Sequence, residues 1–168
     1  QRIEAANGLI SERFAFCQTM PLTEFTQVAE ELRKSGYCPI RLRPYAHNDS
    51  VHVAAAWTRD SRDWRMASGL SPAEIQQQDE TQRGDQFVAV DVAGYIGESD
   101  GEPAEVYSAL WMKKRDDIED ARIYAGAAYA DHKTVYGLLE KEGHKYRHSL
   151  QGFRGLDGQQ RYSGVRTK

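Results

Sequence analysis

The sequence predicts an α+β fold built from tandem helix-strand-strand-strand repeats, in which antiparallel sheets carry their helices on one face. Three observations predict it. The segment Val53-Ala54-Ala55-Ala56-Trp57 returns as Tyr107-Ser108-Ala109-Leu110-Trp111, and more weakly as Tyr162-Ser163-Gly164-Val165-Arg166. Each copy follows a segment that ends in Pro or Gly plus an aromatic: Ile40 to Tyr45, Val90 to Tyr95 and His148 to Phe153. A helical pattern precedes each of these segments. A period of about 54 residues is the mark of stacked units, none of which buries its apolar face alone.

The helices come first. Leu22, Phe25, Val28, Ala29 and Leu32 share one helical face, and Gly36 follows as a stop, so a helix is expected over 22–35. Ser71-Pro72-Ala73-Glu74 has capping-box spacing with Pro at the first helical position, which starts a helix over 72–83, ahead of Gly84. Its polar interior, Gln76 to Asp79, predicts a narrow buried face. Asp131 is the expected cap of a third helix over 131–142, with Val135, Leu138 and Leu139 facing inward and Gly143 as the stop.

The strands follow. Side chains alternate in Ile40 to Pro44 and in Val90 to Gly94, as in a strand with one buried face, and the Pro or Gly ends the ladder. Parity places Trp57 with Val51 and Val53, and Trp111 with Tyr107 and Ala109, which predicts core packing for both indoles. A third strand is expected at Trp64-Arg65-Met66 and again at Tyr124-Ala125-Gly126. The units are then 22–70 and 71–130, with partial units at 1–21 and 131–168 in one repeat domain. Glu12 to Gln18 reads as the last strand of an earlier unit, after a short helix. The last unit lacks its third strand, so the N-terminal strand is expected to fill that edge and close the repeats into a ring or half-barrel, since closure removes edges.

Composition excludes several classes. Apolar residues are 40% and charged residues 28% of the 168 residues, which suits a packed domain. A net charge of −3 supplies no attraction to nucleic acid. No apolar run is long enough to insert in a membrane. No leader is recognisable, and a chain beginning at Gln1 reads as an excised piece. Cys17 and Cys38, each beside an aromatic, read as buried free thiols. Arg41, Arg43, Arg59, Arg62 and Arg65 are interleaved with Asp60 and Asp63, so a salt-bridged surface is expected there, with an anion site as the alternative.

Candidate chemistry is sparse. Gly97-Glu98-Ser99-Asp100-Gly101 has the letters of a nucleophile elbow, but an elbow needs a strand before Ser99 and a helix after it, and Pro103 and a strand follow. With Glu102 the same loop offers oxygens to a calcium ion without the full spacing of a calcium loop. Asp116, Asp117, Glu119 and Asp120 read as a solvated loop. His47, Asp49 and His52 are the nearest approach to a metal set, yet His47 to Ser50 is also a good turn sequence. His132, His144 and His148 flank the third helix, further apart. No kinase loop set, Ser-x-x-Lys motif or phosphate-binding loop is present. No cofactor is expected.

Gly36-Tyr37-Cys38-Pro39, Arg41-Leu42-Arg43-Pro44-Tyr45 and Val53 to Asp60 together resemble the bacterial tandem repeat domain, whose units pair a Gly-aromatic-x-Pro strand with an Ala-Ala-x-Trp strand. Val90 to Tyr95 and Ala109-Leu110-Trp111 are similar to a second unit, without the Pro. The resemblance implies a repeat appended to a larger bacterial protein, either a membrane-anchored serine/threonine kinase or a secreted hydrolase related to β-lactamases, and hence a place outside the cytoplasm. It names no catalytic residue. The expectation is a non-catalytic recognition, sensor or scaffolding module with a protein, peptide, glycan or second copy of itself as partner. Trp64, Tyr124, Arg41 and Arg43 are its candidate ligand residues. The alternatives are a small hydrolytic or metal-dependent enzyme using His47, Asp49, His52 or Ser99, and a plain structural spacer.

Overall fold

A computed structural model describes residues 15–48, 50–114 and 120–168. Among them are three helices, α1 (Leu22–Lys34), α2 (Pro72–Gly84) and α3 (Tyr129–Lys141). The strands are β1 (Ala15–Pro21), β2 (Tyr37–His47), β3 (Ser50–Arg59), β4 (Trp64–Leu70), β5 (Phe87–Ser99), β6 (Glu102–Lys113), β7 (Ala121–Ala127), β8 (Tyr146–Arg154) and β9 (Gln160–Thr167). They form three antiparallel sheets, ordered β1-β3-β2, β4-β6-β5 and β7-β9-β8.

The α+β repeat architecture is the expected one, but its phase is one strand earlier. β4 follows the first Trp strand in sequence yet pairs with β6, and β7 pairs with β9. Each sheet therefore unites a strand, the hairpin that follows the next helix, and nothing from the preceding hairpin. This removes the reason for closure. β9 is flanked on both sides, by β7 and β8, and β1 is paired with β3. The N-terminal strand fills no edge in the last sheet, and the sheets do not close into a barrel.

Register confirms the repeat itself. Trp57 faces Pro39, Trp111 faces Ala89 and Arg166 faces Arg147, each beside a bulge in the partner strand. Tyr45 and Tyr95 fall at matching positions further along. The bulges lie between Pro39 and Arg41, Ala89 and Asp91, and Arg147 and Ser149, leaving Ile40, Val90 and His148 as the extra residues.

Two apolar clusters hold the units together, and each crosses a repeat boundary. The first packs Phe25, Leu42, Val53 and Trp57 against Trp64, Val90, Leu110 and Met112 of the next sheet. The second packs Ile75, Phe87, Val92 and Trp111 against Ala121, Ile123 and Val165. Helix α2 carries the predicted capping box: Glu74 N–H donates to Ser71 Oγ, and Ser71 N–H donates to the Glu74 carboxylate. Ser71→Ala is expected to cost about 1 kcal/mol in a urea melt, and Ser71→Asp much less, because Asp also caps.

Local details differ from expectation for physical reasons. Gly84 is the last residue of α2, not the left-handed stop beyond it. Gln86 takes the left-handed φ of +65° there, the role Gly36 fills after α1 at +79°. The residue before α3 is Ala128, which offers no side-chain cap, and Asp131 lies inside the first turn. Leu138 is 53% exposed, and α3 buries no residue fully. His132 and Tyr136 stand where α1 has Phe25 and Ala29, so this helix docks through a polar aromatic layer, with His132 stacked 4.8 Å from Tyr162. The polar run in α2 buries Asp79, which accepts a 2.9 Å bond from Trp111 Nε1.

Candidate functional site

The second strands of the three units, β2, β5 and β8, are the inner edges of their sheets and lie side by side. Side chains, not backbone ladders, satisfy these edges. Asp91 is fully buried. Its Oδ2 accepts Leu42 N–H at 2.7 Å and Arg43 Nη1 at 2.6 Å, and its Oδ1 accepts from Ser149 Oγ. Gln151 accepts Gly94 N–H at 2.8 Å and donates to Gly94 C=O at 3.0 Å, so its amide acts as a one-residue strand. Arg41, Asp91 and Ser149 are repeat-equivalent, each directly after its bulge.

Arg41 ties the three bulges together. Its guanidinium donates to Ile40 C=O at 2.7 Å, Val90 C=O at 3.5 Å and His148 C=O at 2.8 Å. Beside it lies a pocket of about 330 Å³ lined by Ile40, Arg41, Arg62, Val90, Met112 and His148. Burial, and next the Arg41 guanidinium, hold the His148 imidazole below its usual pKa. Arg62 is anchored by Asp60, which it meets at 2.7 Å. Cys38 donates to the same carboxylate, and burial followed by Asp60 pushes its thiol up to about 12. It is the buried free thiol expected; the Cys17 side chain lies outside the described residues.

A second concavity of about 560 Å³ runs between α1 and the outer edge of β4. Leu22, Thr26 and Arg33 line one side and Met66, Ala67 and Ser68 the other. The equivalent junction between α2 and β7 is shut. There Gln76 Nε2 donates to Ile123 C=O at 3.0 Å, sealing the strand edge. Register makes Met66 the counterpart of Ile123, opposite Leu110 and Val165 respectively, and helix position makes Thr26 the counterpart of Gln76. Thr26 is two heavy atoms too short to repeat the bond. At the ends of β4, Trp64 N–H donates to Asp63 and Gly69 N–H to Tyr95 Oη. Between them, among the described residues, no side chain donates to Met66 C=O.

The candidate ligand residues separate. Arg41 reaches the pocket, whereas Arg43 is committed to Asp91. Trp64 is only 1% exposed, with its ring 3.7 Å under the Arg33 guanidinium and its Nε1 on Tyr37 C=O. Tyr124 is 8% exposed and its hydroxyl meets His132 Nδ1 at 3.0 Å. Both aromatics lack the exposure of a surface anchor, and they are not equivalent: Trp64 faces Met112, while Tyr124 faces Gly164.

The nucleophile-elbow alternative lacks its geometry. Ser99 ends β5 opposite Glu102, and Asp100-Gly101, both at positive φ, make a two-residue hairpin turn rather than the start of a helix. His47 and His52 meet edge to face at 5.0 Å beside Tyr45, but Asp49 lies outside the described residues, as do Asp116, Asp117 and Glu119. His144 is buried against Asp120 at 3.2 Å.

Comparison with known families turns on residues 14–60 and 61–114, which match in succession the model of a polyglycine hydrolase-like structural repeat. The chain belongs to this structural repeat family. The two matched repeats cover well over half of the chain, and their boundary falls in the β3–β4 loop, the same phase as the sheets. The polyglycine hydrolase-like repeat is thus strand-helix-strand-strand here, and the tandem-repeat resemblance holds at that level. The third sheet lies outside the matched residues; Arg166 occupies its Trp position, stacked 3.9 Å over Tyr136. No curated protein matches the chain.

Proposed function

We propose that this chain is a non-catalytic recognition module that holds an extended, glycine-rich polypeptide in the groove between α1 and β4. The open Met66 edge carries this reading. An unsealed strand edge beside a helix is a template for strand addition, in which backbone groups supply affinity and the neighbouring walls restrict side-chain size. A helix lying along that edge favours residues without bulk, since glycine lets a backbone approach closely. The family description, which speaks of a polyglycine hydrolase, agrees with such a substrate and favours a hydrolase over a kinase as the catalytic partner of this module. A plain spacer would bind no peptide.

Thr26→Gln tests it. The longer amide is expected to reach Met66 C=O as Gln76 reaches Ile123 C=O. Titrated calorimetrically with a soluble peptide carrying a six-glycine run, Thr26→Gln should bind at least tenfold more weakly than the parent chain while melting no lower. Equal binding by both proteins, or none by the parent, contradicts the proposal.

A further inference from the structure

The pocket at the three bulges is separate from the α1–β4 groove and shares none of its lining residues. Its volume, about 330 Å³, lies at the small end of ligand pockets. Its walls divide by chemistry. Ile40, Val90 and Met112 supply an apolar surface, two of them almost fully buried. Arg41, Arg62 and His148 supply donors.

The charge at the donor side is not balanced. Arg43 has Asp91 and Arg62 has Asp60, but Arg41 donates only to backbone carbonyls, one from each unit, and among the described residues it pairs with no carboxylate. Three carbonyls orient a guanidinium without neutralising it. A part-buried cation is screened less than a surface one, so the surplus acts at short range on whatever occupies the pocket. The imidazole of His148 feels it already: after burial, Arg41 is the strongest influence keeping it neutral; Asp91 opposes it, and Arg62 adds a smaller influence in the direction of Arg41. A neutral imidazole can still donate one N–H.

We propose that this pocket binds a small amphipathic monocarboxylate, with its carboxylate against Arg62, His148 and the free face of Arg41 and its hydrocarbon part on Ile40, Val90 and Met112. Only repeat convergence makes the site. Ile40, Val90 and His148 are the same bulge position in three units, and a bulge re-aims its extra side chain away from the ladder. Two of the three are aliphatic and the third is the imidazole, so the apolar and polar halves come from equivalent residues. Fatty acids, aromatic acids and an apolar C-terminal residue of a peptide share this chemistry.

The test uses the 168-residue chain and hexanoate, with hexan-1-ol as the uncharged match, followed by NMR of the His148 ring. Hexanoate is expected to bind saturably, shift the His148 signals and raise the pH at which that ring titrates. Hexan-1-ol should bind at least tenfold more weakly, and Arg62→Gln should weaken hexanoate severalfold while the melting temperature holds. Replacing hexanoate by N-acetylleucine, whose carboxylate follows an amide as at a peptide terminus, separates a peptide end from a simple acid by which binds more tightly. Equal affinity for hexanoate and hexan-1-ol overturns the proposal. So does a His148 ring that neither ligand moves.

Discussion

Asp91→Ala is expected to destabilise the protein by about 3–5 kcal/mol, the range for breaking a buried ion pair. The carboxylate is fully buried and holds three partners in the two sheets beside its own, Leu42 N–H and Arg43 on β2 and Ser149 on β8. Removing it leaves a buried backbone donor and a guanidinium without their acceptor, which costs more than the lost bonds alone. Asp91→Asn should cost less, because one carbonyl acceptor survives. Urea melts of the two variants measure this. A loss below about 1 kcal/mol for Asp91→Ala would show that the inner edges are held by apolar packing instead.

Trp111→Ala is expected to cost about 3–5 kcal/mol as a large aromatic removed from a core. Trp111 is fully buried in the second cluster, and its Nε1–H is the donor to Asp79. Burial already pushes the Asp79 carboxyl above its usual range, with Trp111 and Arg83 opposing. Losing the indole therefore leaves a cavity and a poorly served carboxylate together. Trp57 holds the equivalent position in the first unit, where α1 has Ala29 at the place of Asp79. Combining Trp111→Ala with Asp79→Leu should recover part of the loss, while Asp79→Leu should recover nothing in a Trp57→Ala background. Thermal melts of the four proteins decide this.

Helices, strands and repeat were legible because each is written in local pattern. The capping box at Ser71 and the parity of Trp57 and Trp111 are properties of neighbouring residues, and both hold. The phase of the repeat was not legible. Helix-strand-strand-strand and strand-helix-strand-strand have the same order along the chain, and only the pairing of β4 with β6 distinguishes them. The closure of the ends failed with it, because it rested on a strand counted as missing. Asp91 was missed although it left a signal: it is the one acidic residue in the apolar run Phe87 to Ala93, and such a residue must find partners if both faces are buried. Arg41 was singled out within a charged cluster, but nothing in the sequence separates it from Arg43. Their different partners depend on a contact between strands far apart in the chain. The groove depends on Thr26 standing where α2 has Gln76, a difference that acquires meaning only when the two helix–strand junctions are compared in space.

Strand addition at β4 is tested most directly by amide hydrogen exchange, read residue by residue by NMR, with and without the six-glycine peptide. Met66 is the counterpart of Ile123, whose carbonyl turns away from β9 towards α2, so the Met66 amide and carbonyl are placed to turn outward into the groove. The account predicts that saturating peptide slows exchange at the Met66 amide at least tenfold, leaves the amides of β9 unchanged, and loses this protection in Thr26→Gln. Protection concentrated at the hairpin tips or on α3, with Met66 exchanging as before, would contradict it.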